Sequence, residues 1–322
     1  KEQRNAALSS LKATNTYLAL VFASKYLQDA ELAGTATDVV MNIAMDNKEF
    51  VGADVRNWLQ LANANLSGSE SSYLREAIVR HLAEMPNKEG YVSLFNGKDL
   101  TGWKGLVENL IKRRQMYASE LEAKQIEADK KMNASWSAIG GDLVFNGHGD
   151  NIATVKEYGD FELIVDWKLD KNGKEPDAGV YLRGTPQVQI WDISRTNVGA
   201  QVGSGGLYNN QKNESKPSKV ADNPLGEWNN FKIKMVGEKV SVWLNGVLVV
   251  DDVTLDNYWD RNQSIFPMEQ IELQAHGSQV WYRDIYLKEI PRKAVYSLSE
   301  QEKKEGFEML FDGTNLDKWT SS

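Results

Sequence analysis

The chain has 322 residues, 41% of them hydrophobic, with 45 acidic against 37 basic side chains and no cysteine. That is room for two domains, or one large domain and part of another. A net charge of −8 and a pI near 5.2 argue against a nucleic-acid partner, which needs clustered Lys and Arg. The absent cysteines exclude disulfides, thiolate zinc sites and a cysteine nucleophile. No apolar run approaches the roughly 18 residues of a transmembrane segment.

Residues 1–88 read as helices. Leu8 and Leu11, then Tyr17, Leu18, Val21, Phe22, Tyr26 and Leu27, recur at helical spacing, and Thr37–Ala44, Val55–Ala64 and Tyr73–Ala83 continue it. Thr35 or Thr37, and Ser69 or Ser71, are the expected N-caps. Short helices joined by Gly, Asn and Ser turns predict the end of a HEAT-like helical-repeat segment, a surface on which a protein partner could dock. His81 is expected to be a packed or solvated helix residue.

At Pro86 the character changes. Gly-Tyr-Val-Ser-Leu-Phe-Asn-Gly-Lys-Asp-Leu-Thr-Gly-Trp over 90–103 returns as Gly-Phe-Glu-Met-Leu-Phe-Asp-Gly-Thr-Asn-Leu-Asp-Lys-Trp over 306–319. An internal repeat of this kind marks the opening of a domain twice. It predicts one domain over 89–290 and, over 291–322, a linker and the first strand of a truncated second copy. Residues 105–132 are charged and helical in pattern, a surface insertion or lid.

Strands are predicted at Trp136–Phe145, Phe161–Leu169, Ala178–Arg183, Gln187–Trp191, Trp228–Val236, Val240–Leu244, Val247–Asp251, Ile271–Ala275 and Val280–Lys288. Asn245-Gly246 between two of them signals a type I′ hairpin. Many short strands without alternating helices predict an antiparallel two-sheet sandwich. Within it, Arg183-Gly-Thr-Pro-Gln-Val-Gln-Ile-Trp-Asp192 carries a cation, two amides on alternate positions, a large ring and a carboxylate. That pattern puts Gln187, Gln189 and Trp191 on one strand face, which is expected to line a sugar-sized cleft. His148 falls in a glycine-flanked turn. Asp170-x-Asn172-Gly-x-Glu175-x-Asp177 lacks the bidentate Glu of a calcium loop and reads as an acidic hairpin tip.

Leu94-Phe95-Asn96-Gly97-Lys98-Asp99-Leu100-xx-Trp103, Gly179-Val-Tyr-Leu-Arg183, Gln187-Val-Gln189-Ile-Trp-Asp192, Gly205-Gly-Leu-Tyr208, Trp228-Asn229 and Glu272-Leu-Gln274-Ala-His276-Gly together resemble the 3-keto-disaccharide hydrolase domain family, also called domain of unknown function 1080. The resemblance covers about 89–290. It implies a mainly β, concanavalin A-like jelly roll, carbohydrate chemistry, and export to the periplasm or the cell exterior under a signal peptide that is not in this chain. Where members of the family often carry Glu-x-Gln-x-x-Asp, this chain has Gln187-x-Gln189-x-x-Asp192, and an amide cannot exchange a proton as a carboxylate does.

Glycoside hydrolysis ordinarily needs two flanking carboxylates, and amides stand at the first two comparable positions here. A 3-keto sugar offers another route, because the ketone acidifies the neighbouring C2–H and the C1 substituent can leave through an enolate. One base, a group facing the enolate oxygen and a proton source suffice. The candidates are His276 as base, Asp192 to orient it or act as base itself, Arg183 for the oxyanion and Tyr208 as proton donor. Tyr181, Gln187, Gln189, Trp191, Glu272 and Gln274 are expected to bind substrate. No cofactor is certain, and a divalent metal held by His276, Asp192 and a neighbour is compatible with enolate chemistry. The alternative is a lectin-like module that binds carbohydrate without cleaving it.

Overall fold

The computed structural model describes residues 2–68, 71–292 and 296–312. Five helices come first: α1 (Glu2–Ser10), α2 (Tyr17–Ser24), α3 (Ala33–Asp46), α4 (Ala53–Asn65) and α5 (Ser72–Glu84). Apolar side chains three and four apart give each of the longer helices one buried stripe, such as Val39, Val40 and Ile43 on α3 and Val55, Leu59 and Ala62 on α4. Thr16 caps α2 by accepting from the amide of Ala19. The expected Thr35 and Thr37 caps fall inside α3, which already begins at Ala33 with Leu32 at its N-cap. Ser71 occupies the N-cap position of α5 without capping it, its hydroxyl donating instead to the Ser67 carbonyl at 2.7 Å, and Ser69 lies outside the described residues. The stripes share a core with Tyr91, Ile164 and Tyr286 of the sandwich, so the helices cover part of the outer face of one sheet.

The rest is a mainly β, two-sheet antiparallel sandwich of jelly-roll class. One sheet runs β11 (Val247–Thr254), β10 (Lys239–Leu244), β9 (Asn229–Val236), β6 (Phe161–Leu169), β13 (Val280–Glu289), β4 (Asp142–Phe145), β3 (Trp136–Ile139), with β1 (Val92–Ser93) also pairing β13. The other runs β2 (Trp103–Gly105), β5 (Ile152–Thr154), β12 (Glu272–Leu273), β7 (Asp177–Tyr181), β8 (Gln187–Trp191). The expected strand over 136–145 is a hairpin, because Gly140 and Gly141 take positive φ of 62° and 92° and turn the chain between β3 and β4. Asn245 and Gly246, at φ 51° and 80°, make the predicted tight turn between β10 and β11.

Trp136, Phe145, Trp167, Phe231 and Tyr282 fill the space between the sheets with alternate residues of β7, β8 and β12. In the first repeat copy Tyr91, Phe95 and Trp103 are buried, and the Trp103 indole donates to the Leu94 carbonyl at 2.8 Å. In the second copy Phe307 and Phe311 are exposed, and its Trp319 lies outside the described residues.

The insertion after β2 forms α6 (Leu110–Gln115) and α7 (Ala118–Ser135). Helix α7 lies hard against β2: a Cβ on Gly105 would stand 2.1 Å from the Ala128 carbonyl oxygen, and Asp129 and Gln125 take the Gly105 amide and carbonyl at 2.9 and 2.8 Å. Backbone meets backbone, so no rotamer change relieves the clash. Gly105→Ala is expected to destabilise the protein by about 1–3 kcal/mol in denaturant unfolding, whereas the same change at solvent-facing Gly34 leaves the midpoint unchanged or raises it.

Candidate active site

Strand pleating decides which side chains reach the outer, concave face of the five-stranded sheet. Ala178, Val180, Leu182, Val188, Ile190, Ile152 and Leu273 point into the sandwich core, so Asp177, Gly179, Tyr181, Gln187, Gln189, Trp191, Glu272 and Gln274 point the other way. The antiparallel register then lines them up. Lys104, Ala153, Glu272, Tyr181 and Gln187 face one another across β2, β5, β12, β7 and β8. Tyr208 extends that row, since its amide donates to the Gln187 carbonyl at 3.1 Å. Gly179 stands opposite Gln189, and Asp177 opposite Trp191.

Hydrogen bonds tie the polar strip together. Gln187 Nε2 donates to Gln189 Oε1 at 2.8 Å and to Gln274 Oε1 at 3.3 Å, and Gln189 Nε2 donates to Asp177 Oδ1 at 2.7 Å. Asp177 Oδ2 in turn lies 3.8 Å from His276 Nδ1 and 3.8 Å from Arg195 Nη1. Burial raises the Asp177 carboxyl above its usual range, opposed by the charge of His276, the Gln189 bond and the charge of Arg195. His276 itself is 45% exposed, which leaves its ring open to a ligand. Arg195 was not anticipated from the sequence. Its Nη1 is buried with no hydrogen-bond acceptor among the described residues, and nothing in the short Asp192–Val198 turn signals that its side chain reaches back to Asp177.

Two expected site residues stand elsewhere. Arg183 is 1% exposed and takes a positive φ of 52°, which turns its side chain away from the concave face. Its Nη2 pairs with Asp160 Oδ1 at 2.6 Å and its Nε donates to the Gly159 carbonyl at 2.7 Å. The guanidinium is a buried strut and faces no cleft. Asp192 is 8% exposed and closes its own turn, accepting from the amide and hydroxyl of Ser194 at 3.0 and 2.7 Å. Asp177, first read as part of an acidic hairpin tip, takes the place expected of Asp192 beside His276. A metal held by His276 and Asp192 therefore does not fit: the two residues have different partners, and among the described residues no three His, Cys, Asp or Glu side chains gather around one point. His148 sits in an exposed turn, its amide bonded to Asn146 Oδ1.

At the other end of the strip the insertion closes over the sheet. Helix α6 brings Arg113 to within 3.2 Å of Glu269 and 3.8 Å of Glu272. Glu272 is 2% exposed, and burial pushes its carboxyl up to about 8, against the pull of Arg113 and an Asn151 bond. Burial also raises the Tyr181 hydroxyl, helped by the neighbouring charge of Glu272, and lowers the Lys104 ammonium, helped by Arg113. Arg113, Glu269 and Glu272 at this end of the face are buried, while His276 and Tyr208 at the other are exposed.

Arg183→Ala should cost about 3–5 kcal/mol by leaving the Asp160 carboxylate buried without its nearest cation, read as a lowered unfolding midpoint; a variant that folds as stably as wild type would restore Arg183 to the candidate site list. Glu272 binds its proton more tightly when folded than when unfolded, so its contribution to stability is present below pH about 4.5 and is lost as pH rises towards 8. Glu272→Gln should consequently gain stability relative to wild type between pH 5 and 8, in paired urea titrations.

Residues 90–288 match the 3-keto-alpha-glucoside-1,2-lyase-like domain. A 3-keto-disaccharide hydrolase of Bacteroides thetaiotaomicron is 23% identical over 263 residues, 68% of this chain and 85% of that protein. A solved structure of a glycosyl hydrolase candidate from Parabacteroides distasonis superposes with a TM-score of 0.44 at 24% identity, covering 62% of this chain and 84% of its own. A family GH16 endo-beta-1,3(4)-glucanase gives 0.36 at 9% identity over 64% of this chain and 93% of its own. With the domain match running over more than half of its length, this chain belongs to the 3-keto-alpha-glucoside-1,2-lyase-like domain family.

Proposed function

We propose that the chain cleaves 3-keto-glycosides by elimination through an enolate, with His276 as base. Family membership and a curated relative named for 3-keto-disaccharide hydrolysis support a carbohydrate-cleaving role. The observation that carries the finer reading is the pairing of an open imidazole and a half-buried guanidinium on one carboxylate oxygen, at the end of a strip made of amides. The other carboxyl of the strip, Glu272, stands four residues along and one strand over from Asp177, roughly 14 Å between backbones at about 3.3 Å per residue and 4.8 Å per strand. Direct hydrolysis by paired carboxylates uses separations of about 5–9.5 Å, so this pair is poorly placed for it.

In the proposed step His276 takes the C2 proton, with Asp177 holding the imidazole and balancing its charge. The ketone oxygen carries the negative charge, and Arg195, in place of Arg183, faces it. The C1–O bond breaks as the double bond forms between C1 and C2, and Tyr208, 39% exposed beside Trp191, gives the departing oxygen its proton. Water added back to the enone completes hydrolysis. Gln187, Gln189 and Gln274 hold the face in register, and Trp191 packs against the sugar. Export to the periplasm or beyond is part of this reading, supported by the family resemblance alone. A protein partner on the helices is supported by Tyr73 and Val79, exposed on α5.

The purified chain should release the alcohol from 3-keto-trehalose or a 4-nitrophenyl 3-keto-glucoside, and His276→Ala should lower kcat/KM by about 10²–10⁴. Undiminished turnover in that variant removes His276 from the role of base. A wild type that binds these sugars without releasing alcohol makes the chain a carbohydrate-binding module.

A further inference from the structure

Tyr208 stands at the head of a segment that the hydrophobic core does not hold. From 209 to 215 no side chain joins the core between the sheets, and Asn210 is the one buried residue there. Asn209 takes a left-handed φ of 65°, so the chain leaves its pairing with β8 directly after Tyr208. What fixes its course is polar. Gln211 and Lys212 donate their amides to Asp256 Oδ2 at 2.6 and 2.8 Å, and Asn213 Nδ2 donates to Asp256 Oδ1 at 2.7 Å. The Asp256 amide in return donates to Asn210 Oδ1 at 2.9 Å, while Asn210 Nδ2 donates to the Thr254 and Glu214 carbonyls at 2.8 and 3.1 Å.

The anchor stands on the other sheet. Asp256 follows the end of β11 by two residues, and Leu255 between them is buried in the core with its amide donated to the Glu238 carbonyl at 2.8 Å. Beyond it, Asn257 Oδ1 accepts from the Trp259 amide at 3.1 Å, and the Trp259 indole donates to the Gly184 carbonyl at 2.6 Å. Lys212 Nζ also bonds the Arg261 carbonyl, and Arg261 Nη1 lies 3.4 Å from Asp256 Oδ2. Burial pushes the Asp256 carboxyl up, but the two amides, Asn213 and Arg261 outweigh it and hold the group below its usual range. It is therefore an ionised acceptor, the kind that makes short and strong hydrogen bonds. Tyr208 is thus held from two sides: its own amide on the Gln187 carbonyl of the smaller sheet at 3.1 Å, and the residues after it on a carboxylate fixed to the larger one. Its ring is 39% exposed and meets Trp191 edge to face, so the backbone, rather than a closed pocket, sets the direction of the hydroxyl.

We propose that Asp256 is the positioning residue for Tyr208: it fixes the loop that aims the phenol at the departing oxygen, and it touches no substrate itself. The inference rests on the elimination proposed above, and its test has one arm that needs no reaction. In protein labelled with 3-fluorotyrosine, the Tyr208 line is identified by its loss in Tyr208→Phe. Asp256→Ala should move that line towards the position of free fluorotyrosine and leave the lines of the core tyrosines Tyr17, Tyr91 and Tyr282 in place. On 3-keto-trehalose, whose leaving sugar needs a proton, the same variant should lower kcat about tenfold or more with KM within about twofold. On 4-nitrophenyl 3-keto-glucoside, whose 4-nitrophenolate leaves without a proton, kcat should stay within about twofold. A carboxylate that only supports the fold would lower both alike. Asp256→Asn, which keeps one acceptor oxygen in the same shape, should give the same pattern at smaller size. An unmoved Tyr208 line, or equal effects on the two substrates, overturns the proposal. A wild type that turns over neither substrate removes the proposed reaction, and the fluorine line then decides alone whether Asp256 holds Tyr208.

Discussion

The site depends on the two-residue pleat of a five-stranded sheet whose inner side chains seal against the larger sheet. Ala178, Val180, Leu182, Val188, Ile190 and Leu273 are each 0–1% exposed. Fully burying a branched aliphatic side chain is worth about 1.5–3 kcal/mol, so the register of β7, β8 and β12 is held by several such terms at once. A slip of one residue would send Gln187, Gln189 and Glu272 into the core and the aliphatic set into the cleft. The polar face is therefore fixed by its apolar reverse.

Charge is used in two ways on this scaffold. Arg183 and Asp160 form a buried pair on the far side of the β7–β8 connection, where Arg292 adds a second cation at 3.3 Å. Buried pairs of this kind contribute little net stability, yet losing one partner is costly because the other charge remains in a dry place. On the concave face the charges are spread out and loosely matched: Arg195 Nη1 stands 3.8 Å from Asp177 with no hydrogen-bond acceptor among the described residues, and burial holds Glu272 towards its neutral form despite Arg113.

The insertion between β2 and β3 gives the face its asymmetry. Helix α7 is locked to β2 through Gly105, while the short α6 reaches over the sheet and delivers Arg113 to Glu269 and Glu272. That end is dry. The opposite end, with His276 and Tyr208, stays open to solvent. Between them, the Gln187 side chain lies across Gly179, where an added Cβ would stand 2.3 Å from Gln187 Cγ.

Much of this was legible in the residues alone. Period-two alternation placed Gln187, Gln189 and Trp191 on one face and Glu272 with Gln274 on another, and the Asn-Gly turn and the strand-rich pattern gave an antiparallel sandwich, because these signals are local and each reports its own backbone geometry. Partnership across the sheet was not legible. Alternation put Arg183 in phase with Tyr181, but one left-handed residue at the end of β7 breaks the phase and turns the guanidinium to Asp160. Asp192 looked like the partner of His276 because it follows the same strand as Gln189, yet Asp192 closes its own turn, while the register of β12 on β7 carries Asp177 to the imidazole. Residue order alone reveals which side chains alternate and which segments are strands. Which carboxylate meets which cation emerges from the folded chain, because it depends on strand order and on single backbone angles that no local pattern encodes.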